Sequence, residues 1–112
     1  MSGIGQSKMQ VKQLLQQARD LIAEPEHWTQ GHWARLKGGA ETFFACSWCS
    51  MGALAKIDRG NAPEAMRHLE QAIRELHPNI PASLGRLAKF NDAHTHGQVL
   101  AVFDKAIENA QS

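Results

Sequence analysis

The sequence predicts an all-α fold: a compact bundle of about five helices around a buried central helix at about residues 45–59, with a short β-hairpin at about 32–45 as its one irregular feature. Three observations lead there. Apolar residues recur at three- and four-residue spacing in three separate stretches. The segment Phe43–Ile57, FFACSWCSMGALAKI, is interrupted only by Ser47, Ser50 and Lys56, which leaves no wet face at helical pitch. Prolines and glycines fall at the joints between these stretches.

The first helix is expected from Lys8 to Glu24, with Ser7 as its cap and Val11, Leu14, Leu15, Ala18, Leu21 and Ile22 as its apolar stripe. Pro25 ends it, because the residue before a proline is pushed out of the α region. From Glu26 to Thr42 periodicity fails. Alternation in His32–Leu36 and the turn residues Lys37-Gly38-Gly39 suggest a hairpin with residues 41–45. Trp28 and Trp33 read foremost as a lid over one end of the core, and secondarily as a ligand wall.

The central helix follows. Ala45, Cys49, Gly52 and Ala53 form its small-residue side, and Gly60 is expected as a left-handed C-cap. At fewer than about 20 apolar residues the run is too short to span a bilayer. Asn61 and Pro63 open a third helix to about Leu76, with Ala65, Met66, Leu69, Ala72, Ile73 and Leu76 inward and Glu70 paired to Arg74 outside. A fourth, from about Ala82 to Phe90, turns Leu84, Leu87 and Phe90 inward, and Asn91-Asp92-Ala93-His94 reads as a loop. Thr95 and Gln98 have capping-box spacing. They open a last helix over about His96–Ala110, with Val99, Leu100, Phe103, Ala106 and Ile107 inward.

A chain of 112 residues is one domain, here 8–112 behind a flexible lead of residues 1–7. The hydrophobic share of 43% and charged share of 21% are those of an ordinary soluble protein, and the net charge is +1. Cations spread along the chain argue against nucleic-acid and membrane-surface binding. MSGIGQS lacks the apolar core of an export signal, and two cysteines without one suggest free thiols in a reducing compartment, so the expected location is the cytoplasm.

Cys46-Ser47-Trp48-Cys49 is a CxxC inside an apolar helix rather than a βαβ unit, so core packing outweighs redox chemistry. As metal ligands, Cys46 and Cys49 would need two more donors. Of the six histidines, His94 and His96 form the only close pair, beside Asp92. A catalytic set of Cys49, His94 or His96, and Asp92 or Asn91 is assembled only on paper, since reach and an open cleft are not legible. No cofactor loop is present: Gly38-Gly39 lacks the residues of a phosphate loop. No helix gathers Arg, Asn and Gln on one side as a DNA reader does.

Trp28 with Gly31, Trp48-Cys49 leading into Gly52-Ala53-Leu54, Phe90-Asn91-Asp92 with Thr95, and then Val99, Phe103, Ala106 and Ile107 stand in a suggestive order. This resembles a family of small bacterial and phage proteins catalogued only as a domain of unknown function, with "WC..GAL" and "ND...T" motifs, over most of residues 11–108. Gln98 stands where that family usually has an acidic residue, the customary aspartates between Gly31 and Trp48 are missing, and Cys46 lies outside the pattern. The resemblance supplies no activity. It implies that Trp28, Cys49, Asn91 and Asp92 act together, as a polar-and-aromatic knot bracing the fold or as a pocket.

The resulting expectation is a non-enzymatic cytoplasmic module that binds a partner protein or itself, without cofactor, nucleic acid or membrane. A small metal-dependent or thiol enzyme using Cys49 with His94 or His96 is the alternative, and a DNA-binding regulator the next.

Overall fold

The computed structural model describes residues 3–30, 34–35, 47–80 and 86–110. In chain order these form helix α1 (Gly3–Leu21), a 3₁₀ turn (Pro25–His27), strands β1 (Ala34–Arg35) and β2 (Ser47–Trp48), and helices α2 (Ser50–Asp58), α3 (Ala62–Leu76), α4 (Arg86–Ala93) and α5 (His96–Asn109). The all-α bundle of five helices is therefore the observed fold. The core is shared by Val11, Leu15, Ala18 and Ile22 of α1 and its exit, Leu54 of α2, Leu69 and Ile73 of α3, Phe90 of α4 and Phe103 of α5. Leu15, Ile22, Leu54, Leu69, Ile73 and Phe103 are wholly buried. Truncating any one of them to Ala removes about 2–5 kcal/mol, the transfer free energy of the lost atoms plus the cavity left behind.

α1 begins at Gly3 rather than Lys8 and contains Ser7 instead of being capped by it. It ends at Leu21, ahead of Glu24. Pro25 then occupies the first turn of the 3₁₀ segment, where its fixed φ fits and its missing N–H leaves nothing unpaired. Arg19 pairs with Asp104 across α1 and α5, a partly exposed bridge that adds orientation more than stability.

The largest correction falls on the central helix. It spans Ser50–Asp58, not 45–59: Ser47 and Trp48 are strand, and Cys49 is an extended N-cap with φ −80° and ψ 179°. A short apolar run does not by its periodicity distinguish buried helix from strand, and the helix start is fixed by a distant side chain, described below. β2 pairs antiparallel with β1, Ala34 opposite Trp48 and Arg35 opposite Ser47. Of the expected hairpin's first arm only Ala34–Arg35 are described, and they pair with Ser47–Trp48; the expected second arm, 41–45, lies outside the described residues. Cys46, Trp33, the Gly38-Gly39 turn and Leu84 lie outside the described residues. α2 packs against α1, α3 and α4. Gly52, Ala53 and Leu54 are buried, and Lys56 already faces water.

Gly60 is not left-handed. The chain instead leaves α2 through Arg59 in the αR region, and Asp58 holds the turn by accepting from the Asn61 amide at 3.3 Å and the Asn61 side chain at 2.7 Å. In α3, Ala62, Ala65, Leu69, Ala72 and Ile73 are buried, but Leu76, expected inward, is the last residue of the helix and 41% exposed. Arg74, expected to face Glu70, donates to Gln71. α4 carries Asn91 and Asp92 inside the helix rather than in a loop. α5 opens with Thr95 and Gln98 in a complete capping box, as predicted, and buries Val99, Val102, Phe103 and Ala106. Leu100 and Ile107, expected inward, are half-buried against the core.

Candidate functional site

The polar centre of the molecule is the Asn91 side chain, 1% exposed in the last turns of α4. Its Oδ1 accepts from the Trp28 indole Nε1 at 2.9 Å, from the Ser50 backbone N–H at 3.0 Å and from the Ser50 hydroxyl at 2.9 Å. Its Nδ2 donates to the Thr29 carbonyl at 3.0 Å and, more weakly, to Asp92 Oδ1 at 3.4 Å. The orientation of the amide follows from these partners, since a flipped group would aim its N–H bonds at three donors.

Ser50 is the first residue of α2, so Asn91 satisfies an N–H that no residue inside the helix is placed to accept. Cys49 Sγ accepts from the Gly52 N–H at 3.4 Å. The N-terminus of α2 is therefore capped twice, locally by a thiol and remotely by an amide from α4.

Gln30 closes the other side. Its Nε2 lies 3.0 Å from the carbonyls of Asn91, Asp92 and His94, the last carbonyls of α4 and its exit. These groups have no partner within the helix, so Gln30 acts as a C-cap supplied from elsewhere in the chain. It allows α4 to run on through Asn91 and Asp92.

The two histidines of the His94-x-His96 pair turn to different partners. His94 Nδ1 lies 3.0 Å from the Phe90 carbonyl, and its ring stacks on Phe90 at 3.8 Å. His96 Nε2 lies 2.6 Å from the Ile22 carbonyl, and its ring lies 5.3 Å from Trp28. A carbonyl only accepts, so Nδ1 of His94 and Nε2 of His96 carry protons, and His94 Nε2 and His96 Nδ1 are the lone-pair nitrogens of the neutral rings. Among the described residues no group of three or more His, Cys, Asp and Glu is placed to hold a metal ion.

Cys49 is a free thiol, 5% exposed. Burial pushes its pKa above the ordinary thiol value; backbone N–H groups at the start of α2 pull the other way, and the Asp92 carboxylate raises it further. Desolvation outweighs the helix terminus here, so the thiol stays protonated at neutral pH.

Of the residues singled out from the sequence, Trp28 and Asn91 are thus bonded directly. Cys49 adjoins Ser50, which Asn91 holds, and Asp92 acts on the Cys49 thiol through its charge. The arrangement binds three parts of the chain: the 28–30 segment, the start of α2 and the end of α4. Sequence reasoning missed Ser50, Thr29 and Gln30. Ser50 had one available signal, as a polar interruption of an apolar run; Gln30 had none, because its role depends on where the end of α4 lies.

No helix among the described residues is long and apolar enough to cross a membrane. No curated protein and no solved structure matches the chain. A model described as a family of unknown function, DUF6197, matches residues 6–109, and the chain belongs to that family.

Proposed function

We propose that this protein is a non-enzymatic cytoplasmic module that works by binding a partner protein or a second copy of itself. The observation that carries the reading is the commitment of Asn91: both ends of its amide are spent inside the fold, on Trp28, Ser50 and Thr29. Groups arranged for chemistry keep a donor, an acceptor or a lone pair aimed at an open space. Here the same residue types brace helix ends instead. Cys49 as a nucleophile would need a thiolate; burial holds its thiol protonated.

Light scattering over a wide concentration range, together with affinity capture and reconstitution from purified components, tests the reading. The expected result is self-association or a partner that rebinds after purification, in either case unaffected by chelator or by alkylating reagent. A strict monomer that captures nothing contradicts it. So does stoichiometric metal in protein purified without a histidine tag.

A further inference from the structure

Between α1 and the end of α2 lies an open-sided groove of about 190 Å³, lined by Gln13, Leu14, Gln17, Ile57 and Asp58. That is room for several water molecules or a short organic ion. Leu14 is buried and Ile57 half-buried, whereas Gln13 and Gln17, one turn apart on α1, are exposed. Among the described residues neither glutamine side chain makes a hydrogen bond, so both amide oxygens are available to accept one.

Asp58 supplies the charge. Its carboxylate is held in place by the Asn61 side chain at 2.7 Å and the Asn61 N–H at 3.3 Å, and these bonds keep it ionised at neutral pH. Lys56 and Arg59 flank it in sequence, yet among the described residues Asp58 has no ion pair. It is also the last residue of α2, where the negative end of the helix dipole adds to the carboxylate. The groove therefore favours a cation.

The donors already present narrow the choice. Asn61 reaches both carboxylate oxygens, which obstructs the two-pronged approach that a guanidinium prefers. A compact ammonium needs only one oxygen, and it carries three N–H donors and no acceptor. The groove offers three acceptors to match.

We propose that this groove binds a primary ammonium group, whose three N–H bonds go to the Asp58 carboxylate and to the amide oxygens of Gln13 and Gln17. The site is separate from the Asn91 knot and does not depend on the partner-binding reading. A free alkylamine and a lysine side chain offer the same chemistry.

The test titrates the full chain at pH 7 with n-butylammonium chloride and with lysine blocked at both its α-amino and carboxyl ends. Sodium chloride at equal ionic strength and n-butanol serve as controls, and two-dimensional NMR is the readout. The expected result is saturable shifts of the Gln13 and Gln17 side-chain amides and of the backbone amides of residues 57 and 58, absent in both controls. Guanidinium chloride should bind more weakly. Asp58→Asn should weaken binding by about fivefold, the factor an exposed ion pair supplies, and Gln17→Glu should tighten it. Shifts with both ammonium probes admit a lysine side chain as ligand; shifts with n-butylammonium alone restrict the site to free amines. The proposal is overturned if neither probe gives saturable shifts, if n-butanol reproduces them, if guanidinium binds more tightly, or if Asp58→Asn binds as the parent does. Should Asp58→Asn fail to fold, Gln17→Glu decides, because it leaves the Asp58 turn intact: unchanged affinity there overturns the site.

Discussion

Asn91 and Arg86 stand on the two flanks of one buried face of α4, separated by about 140° around the helix, with Leu87 and Phe90 between them. Both are polar, and both are nearly enclosed. Asn91 answers donors and acceptors from three parts of the chain, whereas Arg86 answers none among the described residues. A buried polar group with every bond made fixes a structure; a charge whose stem is buried while its nitrogens meet solvent ties no second element down. The difference separates a brace from a solvated charge, although composition alone makes the arginine and the asparagine look alike.

Substitution at the two positions sharpens the contrast. Asn91→Ala leaves the Trp28 indole, the Ser50 amide and the Ser50 hydroxyl without their acceptor and opens a small cavity. Urea unfolding is expected to show a loss of about 3–5 kcal/mol. A loss below about 1 kcal/mol would mean that water replaces the amide freely and that no brace exists. Trp28→Phe removes one donor while keeping most of the ring, and Asn91 keeps its Ser50 bonds. The expected cost is about 1–2 kcal/mol by the same measurement.

Thr95→Ala, which breaks the capping box of α5 away from the knot, serves as a reference of about 1 kcal/mol. Arg86→Met should cost nothing or stabilise by up to about 1 kcal/mol, since the charge it removes has no partner to lose. A strong destabilisation there would instead reveal a structural role for the guanidinium.

The smallest effect concerns acid pH. Hydrogen bonds from the Asn61 side chain and backbone hold the Asp58 carboxyl below its ordinary value. Its folded pKa is depressed, so its contribution is present above the unfolded pKa and lost as pH falls through the folded one. NMR titration should show Asp58 ionising below a free aspartate, and Asn61→Ala should return it towards the ordinary value.

Much of this architecture is written in local pattern. α3 and α5 follow from apolar spacing and from Thr95 with Gln98, because caps and amphipathic stripes involve residues within a few positions of one another. The start of α2 was not legible. Its first N–H is accepted by a residue 41 positions away, and no window centred on Cys49 contains that information. The end of α4 was hidden for the same reason: Gln30 supplies the bonds that carry the helix past Phe90.

The grouping of Trp28, Cys49, Asn91 and Asp92 was accessible only through a family pattern. What that pattern left open, knot or pocket, depends on whether Asn91 keeps a free donor or acceptor. That is a matter of distances. Arg86 escaped notice altogether, because an arginine in an amphipathic stretch reads as solvent-facing until its burial is known.

The coupling between Asn91 and Trp28 tests the central claim most directly. A double-mutant cycle by urea unfolding compares Asn91→Ala, Trp28→Phe and the pair with the parent chain. If the amide ties the 28–30 segment to α2 and α4, the double variant should be little worse than Asn91→Ala alone, a coupling of about 1 kcal/mol or more. Additive losses, with coupling below roughly 0.3 kcal/mol, would contradict the account.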